Sequence, residues 1–308
     1  MRRPIRLAAA LATAALAAAA CSSSGSSSSA PASPSASARP AAVLNVTETA
    51  AHKVTVSRTQ VPAGVVSVNM HVKVTNENFT LTLFTLKPGT TMPQFMAHLR
   101  TVFTEGKTQA QRDAAAAGMR WIAAHVVAFG GNPGVPKSSM HLRTVLQPGT
   151  YYAADLQNRS IVPFKVTGSH SSATLPPAPQ SVKMVLKGSD SQFAVSGSPA
   201  GTLHNGVVRI QNLTGEFHFA EFLPVKPGVT NAQVQQALQQ NKFGKVFEQG
   251  RPGGTDVISP GNSINLTLNL PPGRYAVLCF IPSDSTGPMA GMPHALMGMH
   301  AVFQVAGG

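Results

Sequence analysis

This chain of 308 residues is poor in cysteine, aromatic residues and acidic side chains. It contains two Cys, one Trp, and 11 Asp and Glu against 24 Lys and Arg. We expect no nucleic-acid partner, because there are few aromatic rings to stack on bases and the basic residues are scattered. The sequence also lacks a Gly-x-Ser-x-Gly turn, a His-Glu-x-x-His helix and a Cys-x-x-Cys pair. The hydrolase, zinc-protease and dithiol chemistries that use these motifs therefore have no signature here.

The amino terminus is typical of a bacterial lipoprotein signal. Three Arg lie within the first six residues, and an apolar run from Leu7 to Ala20 then leads through small residues to Cys21. The run is shorter than the ~20 residues of a membrane span, so we expect residues 1–21 to be a signal whose Cys21 becomes lipidated. The adjacent Arg2 and Arg3 suggest a twin-arginine signal as an alternative export route. Residues 22–42, nearly all Ser, Ala, Pro and Gly, are predicted to be a disordered tether.

The folded part is accordingly expected outside the cytoplasm, anchored by lipid to the outer face of the cell membrane. Its charge is uneven, because residues 43–168 carry twelve Lys and Arg against five Asp and Glu, a net +7, whereas residues 182–308 carry eight against six, a net +2. The basic half could contact anionic lipid headgroups or cell-wall polymers. The alternative is an ordinary solvated basic surface.

The sequence contains an internal repeat. The stretch from Lys87 to Gln94 aligns with that from Lys226 to Gln233 at an offset of 139 residues, and Phe164–Gly168 aligns with Phe303–Gly307 at the same offset. Between these matches, a Pro-Gly-x-Tyr turn recurs at an offset of 124. Such internal similarity indicates duplication of a single fold.

We therefore predict two domains, residues 43–168 and 182–308, joined by a Pro-rich linker at residues 169–181. Each domain is dominated by segments that alternate apolar and polar residues, as half-buried strands do. A short polar helix is predicted after each Lys-Pro-Gly, and a second helix from Gln109 to Phe129 in the first domain. The fold class is thus all-β, with two tandem antiparallel sandwiches that each carry a short helical insertion.

The second domain contains ligands suited to a soft or borderline metal. Cys279 ends an apolar strand, His294 and Met299 follow it before the last strand, and His218 lies in an earlier strand. One thiolate, two imidazoles and a weak thioether form a ligand set that copper prefers. With Cys21 assigned to lipid, Cys279 has no intrachain disulfide partner, so it is either an inert buried thiol or a metal ligand.

In these residues the sequence resembles the cupredoxins, the family of plastocyanin and azurin. That family takes a Cys from a strand end, a His and a Met from the following loop, and a second His from an earlier strand; the spacing from His294 to Met299 matches plastocyanin. The resemblance implies Greek-key sandwiches and one copper ion at His218, Cys279, His294 and Met299, serving electron transfer or copper storage and delivery with a redox or copper-handling partner protein. The segment from Cys279 to His294 is much longer than is usual in the family. Oxidases built from this fold carry His beside the Cys and His-x-His pairs, both absent here, so we expect a carrier and not an enzyme.

The duplication assigns the ligand set to one copy only. Asp155 stands where the second domain has Cys279, and Phe79 stands where it has His218. All fifteen extra residues of the second domain's carboxyl-terminal part fall between Cys279 and Phe303. The first domain is therefore expected to be a scaffold without metal.

The long loop is rich in methionine. Met289, Met292 and Met297, together with His300, are candidate additional metal ligands, because thioethers prefer Cu(I). Such a strip could equally make adaptable contacts with a partner protein. The alternative function is a metal-free sandwich pair for adhesion, cell-wall binding or partner binding, in which the Cys279 sulfur would lie more than ~4 to 5 Å from the imidazoles.

Overall fold

The computed structural model describes residues 41–75, 79–102, 108–188 and 190–307. The predicted signal with Cys21, and all but the last two residues of the predicted tether, lie outside these ranges. The described residues form one compact unit. Within the described ranges, no helix is both long and apolar enough to cross a membrane.

The described residues form eighteen strands, three α-helices and two short 3-10 helices. The strands of the first half are β1 (Ala42–Glu48), β2 (Val54–Val56), β3 (Gln60–Pro62), β4 (Gly64–Val72), β5 (Leu81–Leu86), β6 (Val126–Asn132), β7 (Ser139–Leu146), β8 (Gly149–Asp155) and β9 (Ser160–Thr167). The strands of the second half are β10 (Gln180–Lys187), β11 (Asp190–Ser196), β12 (Thr202–His204), β13 (Gly206–Asn212), β14 (His218–Pro224), β15 (Gly253–Ile258), β16 (Ser263–Leu268), β17 (Gly273–Leu278) and β18 (His300–Ala306). The helices are α1 (Met92–Val102), α2 (Gln109–His125) and α3 (Asn231–Gln239), and the 3-10 helices are Phe243–Lys245 and Gly287–Met289.

The strands form two sheets that both run through the two halves of the chain. One has the order β11-β10-β13-β16-β7-β4-β1-β2, and the other has the order β12-β18-β17-β14-β15-β6-β5-β8-β9-β3. Each order is a palindrome of equivalent strands, because β10, β13 and β16 correspond to β1, β4 and β7, and β14, β17 and β18 correspond to β5, β8 and β9. The all-β class predicted from the sequence is confirmed.

The centre of each palindrome is a seam at which the two halves pair. In the eight-stranded sheet β16 pairs antiparallel with β7 through Asn265 with Arg143 and Leu266 with Leu142. In the ten-stranded sheet Ile258 of β15 pairs with β6. The buried apolar core contains residues from both halves and continues across the seam. The division into two domains with the boundaries given above stays a prediction.

The helices after each Lys-Pro-Gly begin for the same local reason in both halves. The Thr91 hydroxyl accepts from the backbone N–H of Gln94, and the Gln94 side chain accepts from the N–H of Thr91. Thr230 and Gln233 repeat this arrangement at the start of α3. These reciprocal capping boxes satisfy backbone donors that a helix start leaves without partners.

The prediction of a helix from Gln109 to Phe129 is wrong at its carboxyl end. Helix α2 ends at His125, and Val126 is already extended, with φ of −125° and ψ of 149°. The following residues form β6, which pairs with β5 and meets β15 at the seam. Its β-branched and aromatic residues favour a strand, and pairing on both sides stabilises it.

A glycine is required at the same place in each half, beside a register shift in the sheet. A Cβ at Gly131 would collide with the carbonyl oxygen of Leu81, and a Cβ at Gly254 would collide with that of Ala220. The neighbouring strand pairs β5 with β6 and β14 with β15 each contain the shift. Only glycine allows so close a backbone approach.

Candidate metal centre

Two neighbouring strands and one loop bring the predicted ligands together. His218 is the first residue of β14, and Cys279 directly follows the last residue of β17. Strands β14 and β17 are paired, with Glu221 opposite Leu278, so both side chains lie at the same end of adjacent strands. Both are fully buried, and His294 from the loop is 3% exposed.

The long loop after Cys279 folds back on itself, so that its two ends lie close together. The backbone N–H of Ala295 donates to the carbonyl of Cys279 at 2.6 Å, and that of His294 donates to Ile281 at 3.0 Å. Farther out, Ser283 donates to Met292 and Gly291 donates to Ser283. The residues between 281 and 294 thus form a paired excursion, and its base holds His294 beside Cys279 as a short loop would.

The second half's loop also lies against the first half's helix α2. Arg120 donates to the carbonyls of Asp284 and Ser285 at 2.5 and 3.1 Å, and Gln109 donates to that of Gly287 at 3.3 Å. The backbone of Gly291 lies so close to α2 that a Cβ would collide with it. One structural role of the first half is therefore to support the loop that carries His294.

The three side chains converge within hydrogen-bonding range of one another. Nδ1 of His218 and Nδ1 of His294 are 3.1 Å apart, and the Cys279 sulfur lies 3.6 Å from each of these nitrogens. These separations are below the 4 to 5 Å that the metal-free alternative predicts. The three residues form one of two groups of metal-ligating side chains found among the described residues.

The triangle of donor atoms fits a metal ion of ordinary bond length. A point equidistant from the corners of a triangle with these sides lies about 2.0 Å from each atom. Bonds from zinc to imidazole nitrogen and thiolate sulfur are about 2.0 and 2.3 Å, so the spacing of the three donor atoms would allow all of them to hold an ion of this kind. The donor set of two imidazoles and one thiolate suits copper in a trigonal arrangement.

An acidic residue that the sequence did not single out fixes the orientation of His294. Oε2 of Glu216 lies 2.6 Å from Nε2 of His294. Burial raises the pKa of Glu216, but hydrogen bonds and charge from His294, and hydrogen bonds with Asp284, outweigh burial and leave the pKa lowered. The carboxylate therefore accepts a hydrogen bond from the Nε2–H of His294, which leaves Nδ1 facing Cys279 and His218. A carboxylate behind a metal-binding imidazole is a common orienting device.

The two imidazoles have opposite pKa shifts. Burial and the nearby His294 lower the pKa of His218 to about 2, so this ring is neutral near pH 7 and its nitrogen lone pair can bind a metal. Burial also lowers the pKa of His294, but hydrogen bonds and charge from Cys279 and Glu216 prevail and raise it to about 9. Metal binding at Nδ1 of His294 must then displace a proton from that ring.

The remaining predicted ligands are placed less uniformly. Met299 is fully buried directly before β18, and its backbone N–H donates to the carbonyl of His294 at 2.9 Å; its role as a weak fourth ligand stays a prediction. His300 instead bonds through Nε2 to Oε1 of Gln235 on α3, at 2.7 Å. Met289 is 42% exposed on the outer 3-10 turn, and the two other loop methionines, Met292 and Met297, are half-buried. Their roles as additional ligands also stay predictions.

No family model and no curated protein matches this sequence. Among solved structures the chain is similar to auracyanin B, with 19% identity over 44% of this chain and 95% of that one, at a TM-score of 0.21. It is also similar to auracyanin from Roseiflexus castenholzii, with 18% identity, 42% and 99% coverage, and a TM-score of 0.23. A multi-copper oxidase from Pediococcus acidilactici has 9% identity, 85% and 58% coverage, and a TM-score of 0.24. At these values the chemistry of the site has to be derived from its own residues.

Proposed function

We propose that this protein is a cupredoxin-like lipoprotein that binds one copper ion at His218, Cys279 and His294, with Met299 as a weak fourth ligand. Its role is electron transfer or copper storage and delivery. The convergence of two imidazole nitrogens and one sulfur within 3.6 Å in a buried site carries the proposal. When bound, copper would supply a one-electron redox couple.

The chain's own residues supply the other properties of such a centre. Adjacent strands fix His218 and Cys279, and paired backbone together with Glu216 fixes His294, so the donors are held in place before an ion arrives. Burial of all three excludes water, which strengthens the electrostatic interactions within the site. A centre whose ligands move little suits rapid electron exchange.

A carrier is favoured over an oxidase by the residues around the strand cysteine. Leu278 and Phe280 flank Cys279, and the sequence contains no His-x-His pair. An oxidase with a copper cluster between its units needs several such histidines. We therefore propose a single copper ion and no catalytic centre.

The location and partners belong to the same proposal. A lipid on Cys21 would hold the protein at the outer face of the membrane, and the tether would let the folded part stand off the surface. The basic first half would contact anionic headgroups or cell-wall polymers. A redox or copper-handling protein would contact the methionine loop, where Met289 offers exposed, adaptable apolar surface.

Addition of Cu(II) to the purified protein tests the proposal. We expect one equivalent of copper and an intense visible band from the copper–thiolate bond, with the band lost in Cys279→Ser. His218→Gln should abolish or shift the band, whereas the matched change His141→Gln should leave it unaltered, because His141 bonds to Thr267 in the other sheet. A wild-type protein that stays colourless and binds no copper would refute the proposal.

A Cu(I) titration separates the two roles. Competition against a chromophoric Cu(I) chelator gives the stoichiometry, and one tightly bound ion with a reversible potential indicates electron transfer. Two or more Cu(I) ions, with the excess lost when Met289, Met292 and Met297 are changed to Leu, indicate storage or delivery.

A further inference from the structure

Three side chains at one end of the first half form a second convergent group. Glu48 ends β1, His52 lies in the turn between β1 and β2, and Asp155 ends β8. Nδ1 of His52 is 3.4 Å from a carboxylate oxygen of Glu48 and 3.4 Å from one of Asp155. One ligand atom from each residue lies within 4.8 Å of the others.

The two carboxylates of this group differ in their hydrogen bonds. Asp155 accepts from the backbone N–H groups of Gln157 and Asn158, whereas Glu48 is buried without a comparable donor. Both side chains are 0% exposed, and His52, 22% exposed, is the basic side chain that the described residues bring within 4.0 Å of either one. Apart from the carboxyl group of Asp155, which bonds to Glu48 when Glu48 is protonated, neither oxygen of Glu48 has a hydrogen-bond partner among the described residues. Burying an anion without a partner is costly, so such a pair needs a proton or a cation. Burial and the proximity of Asp155 favour the proton in the metal-free state, since they raise the pKa of Glu48 to about 8.

One amide partly fills the space that these acceptors face. Nδ2 of Asn158 lies 2.6 Å from Oδ2 of Asp155 and 3.0 Å from Nδ1 of His52. The amide donates to Asp155, and it also donates to Nδ1 of His52 in the tautomer of that ring that is protonated at Nε2. Rotation of the amide by half a turn would place its oxygen there as a further ligand.

We propose that Glu48, His52 and Asp155 bind a divalent metal cation, with the Asn158 amide oxygen completing the site. The ligand atoms of His52 and of each carboxylate lie 3.4 Å apart. With bonds of about 2.1 Å to a shared ion, two such atoms would form an angle of about 108° at the ion, which is close to tetrahedral. An imidazole with two carboxylates suits a borderline ion such as Zn²⁺. The cation would tie the turn after β1 to the end of β8.

This site occupies the corner of the first half that corresponds to the proposed copper centre in the second. Asp155 pairs with Leu81 at the end of β8, and Cys279 stands at the equivalent position after β17. One copy thus presents a thiolate at this corner, and the other presents a carboxylate. The proposal replaces the expectation that the first half is a scaffold without metal, and it does not depend on copper binding in the second half.

Zinc titration of a protein whose second-half centre is disabled tests the site. In the background Cys279→Ser with His218→Gln, isothermal titration calorimetry should show one bound Zn²⁺, and Zn²⁺ should raise the melting temperature. Glu48→Gln or Asp155→Asn in that background should weaken Zn²⁺ binding at least tenfold and remove the thermal shift. The matched change Glu248→Gln alters an exposed carboxylate and should leave both unchanged.

Unfolding cannot imitate this result, because the raised pKa of Glu48 keeps its side chain neutral in the metal-free protein near pH 7. Glu48→Gln therefore exchanges one neutral side chain for another and should leave the stability of the metal-free protein nearly unchanged, as urea unfolding in EDTA would show. Failure of the background protein to bind Zn²⁺ at millimolar concentration would overturn the proposal. Equal binding by the background protein and Glu48→Gln would also overturn it, because the zinc would then sit on other histidines.

Discussion

Replacement of Glu216 by Gln is the most direct test of how the proposed copper centre is held. The carboxylate lies 2.6 Å from Nε2 of His294, and its side chain is 29% exposed. Gln keeps the length and an accepting oxygen but removes the negative charge. The change therefore isolates the electrostatic contribution of Glu216 from its steric one.

The expected loss can be set from the chemistry of the contact. A hydrogen bond to a charged group contributes about 1.5 to 3 kcal/mol. Removal of an outer carboxylate that orients a metal-binding histidine typically lowers metal affinity about 10- to 100-fold, which corresponds to about 1.4 to 2.7 kcal/mol. The two ranges agree, so we expect Glu216→Gln to weaken Cu(II) binding by about this factor and Glu216→Ala to weaken it further.

Chelator competition, followed at the visible band, measures the affinity. Glu248→Gln is the matched control, because the side chain of Glu248 is exposed. Its backbone N–H donates to the carbonyl of Pro224, which is the last residue of β14, whereas His218 is the first. If Glu216 had a purely structural role, Glu216→Gln would also destabilise the metal-free protein and lower its melting temperature. The orienting role predicts weaker copper binding with the melting temperature of the metal-free protein nearly unchanged. A Glu216→Gln protein whose affinity stays within twofold of the wild type would refute the orienting role.

Three further predictions concern the surroundings of the site. Burial raises the pKa of Asp256 to about 6 against hydrogen bonds from Val257 and Thr82 that lower it; its stability contribution is present below about pH 4 and lost as pH rises through 6. The free energy of unfolding in urea should therefore be about 3 kcal/mol higher for Asp256→Asn than for the wild type at pH 8, with little difference at pH 4. Equal differences at both pH values would contradict this. Gly291 has φ of +65° and lies against α2, whereas Gly287 has φ of +77° and nothing lies within 4 Å of a Cβ placed there. In thermal unfolding, Gly291→Ala should therefore lower the free energy of unfolding by about 1 to 3 kcal/mol more than Gly287→Ala. Equal losses would show that the loop does not pack tightly against α2. Arg120→Ala removes the contacts to two loop carbonyls and should speed release of copper to a chelator several-fold; an unchanged rate would mean that α2 does not restrain the loop.

Much of the fold follows from local sequence because the same local signals occur twice. The repeated Lys-Pro-Gly, the capping Thr and Gln after it, and the Pro-Gly-x-Tyr turns each specify structure within a few residues. The tyrosines of these turns bond back four residues, from Tyr151 to Gln147 and from Tyr275 to Pro271. The first residues of β6 resemble a continuation of α2, because no Gly or Pro separates the two elements, and their strand conformation depends on pairing partners distant in the sequence.

Residue type and position along the strands predict the metal ligands of the site but not the residues and backbone contacts that hold them in place. His218, Cys279 and His294 stand out because their chemistry is unusual in an apolar strand and a small-residue loop. Glu216 carries no such signal, because an acidic residue in the bend before a strand is ordinary until the fold brings a histidine to it. Likewise, the excursion that shortens the loop depends on backbone hydrogen bonds that carry no residue signature.

The palindromic order of both sheets has a consequence for the history and integrity of the chain. Two equal units that meet edge to edge along equivalent strands have the arrangement of an isologous dimer, here enclosed in a single polypeptide. Covalent joining frees the two partners from having to remain identical. One half can then keep a cysteine and histidines at the end of its strands while the other half acquires carboxylates at the equivalent position. One half can also acquire a helix, α2, that packs against the loop of the other. Separated from its companion, either unit would expose two unpaired strand edges, a recognised hazard for aggregation.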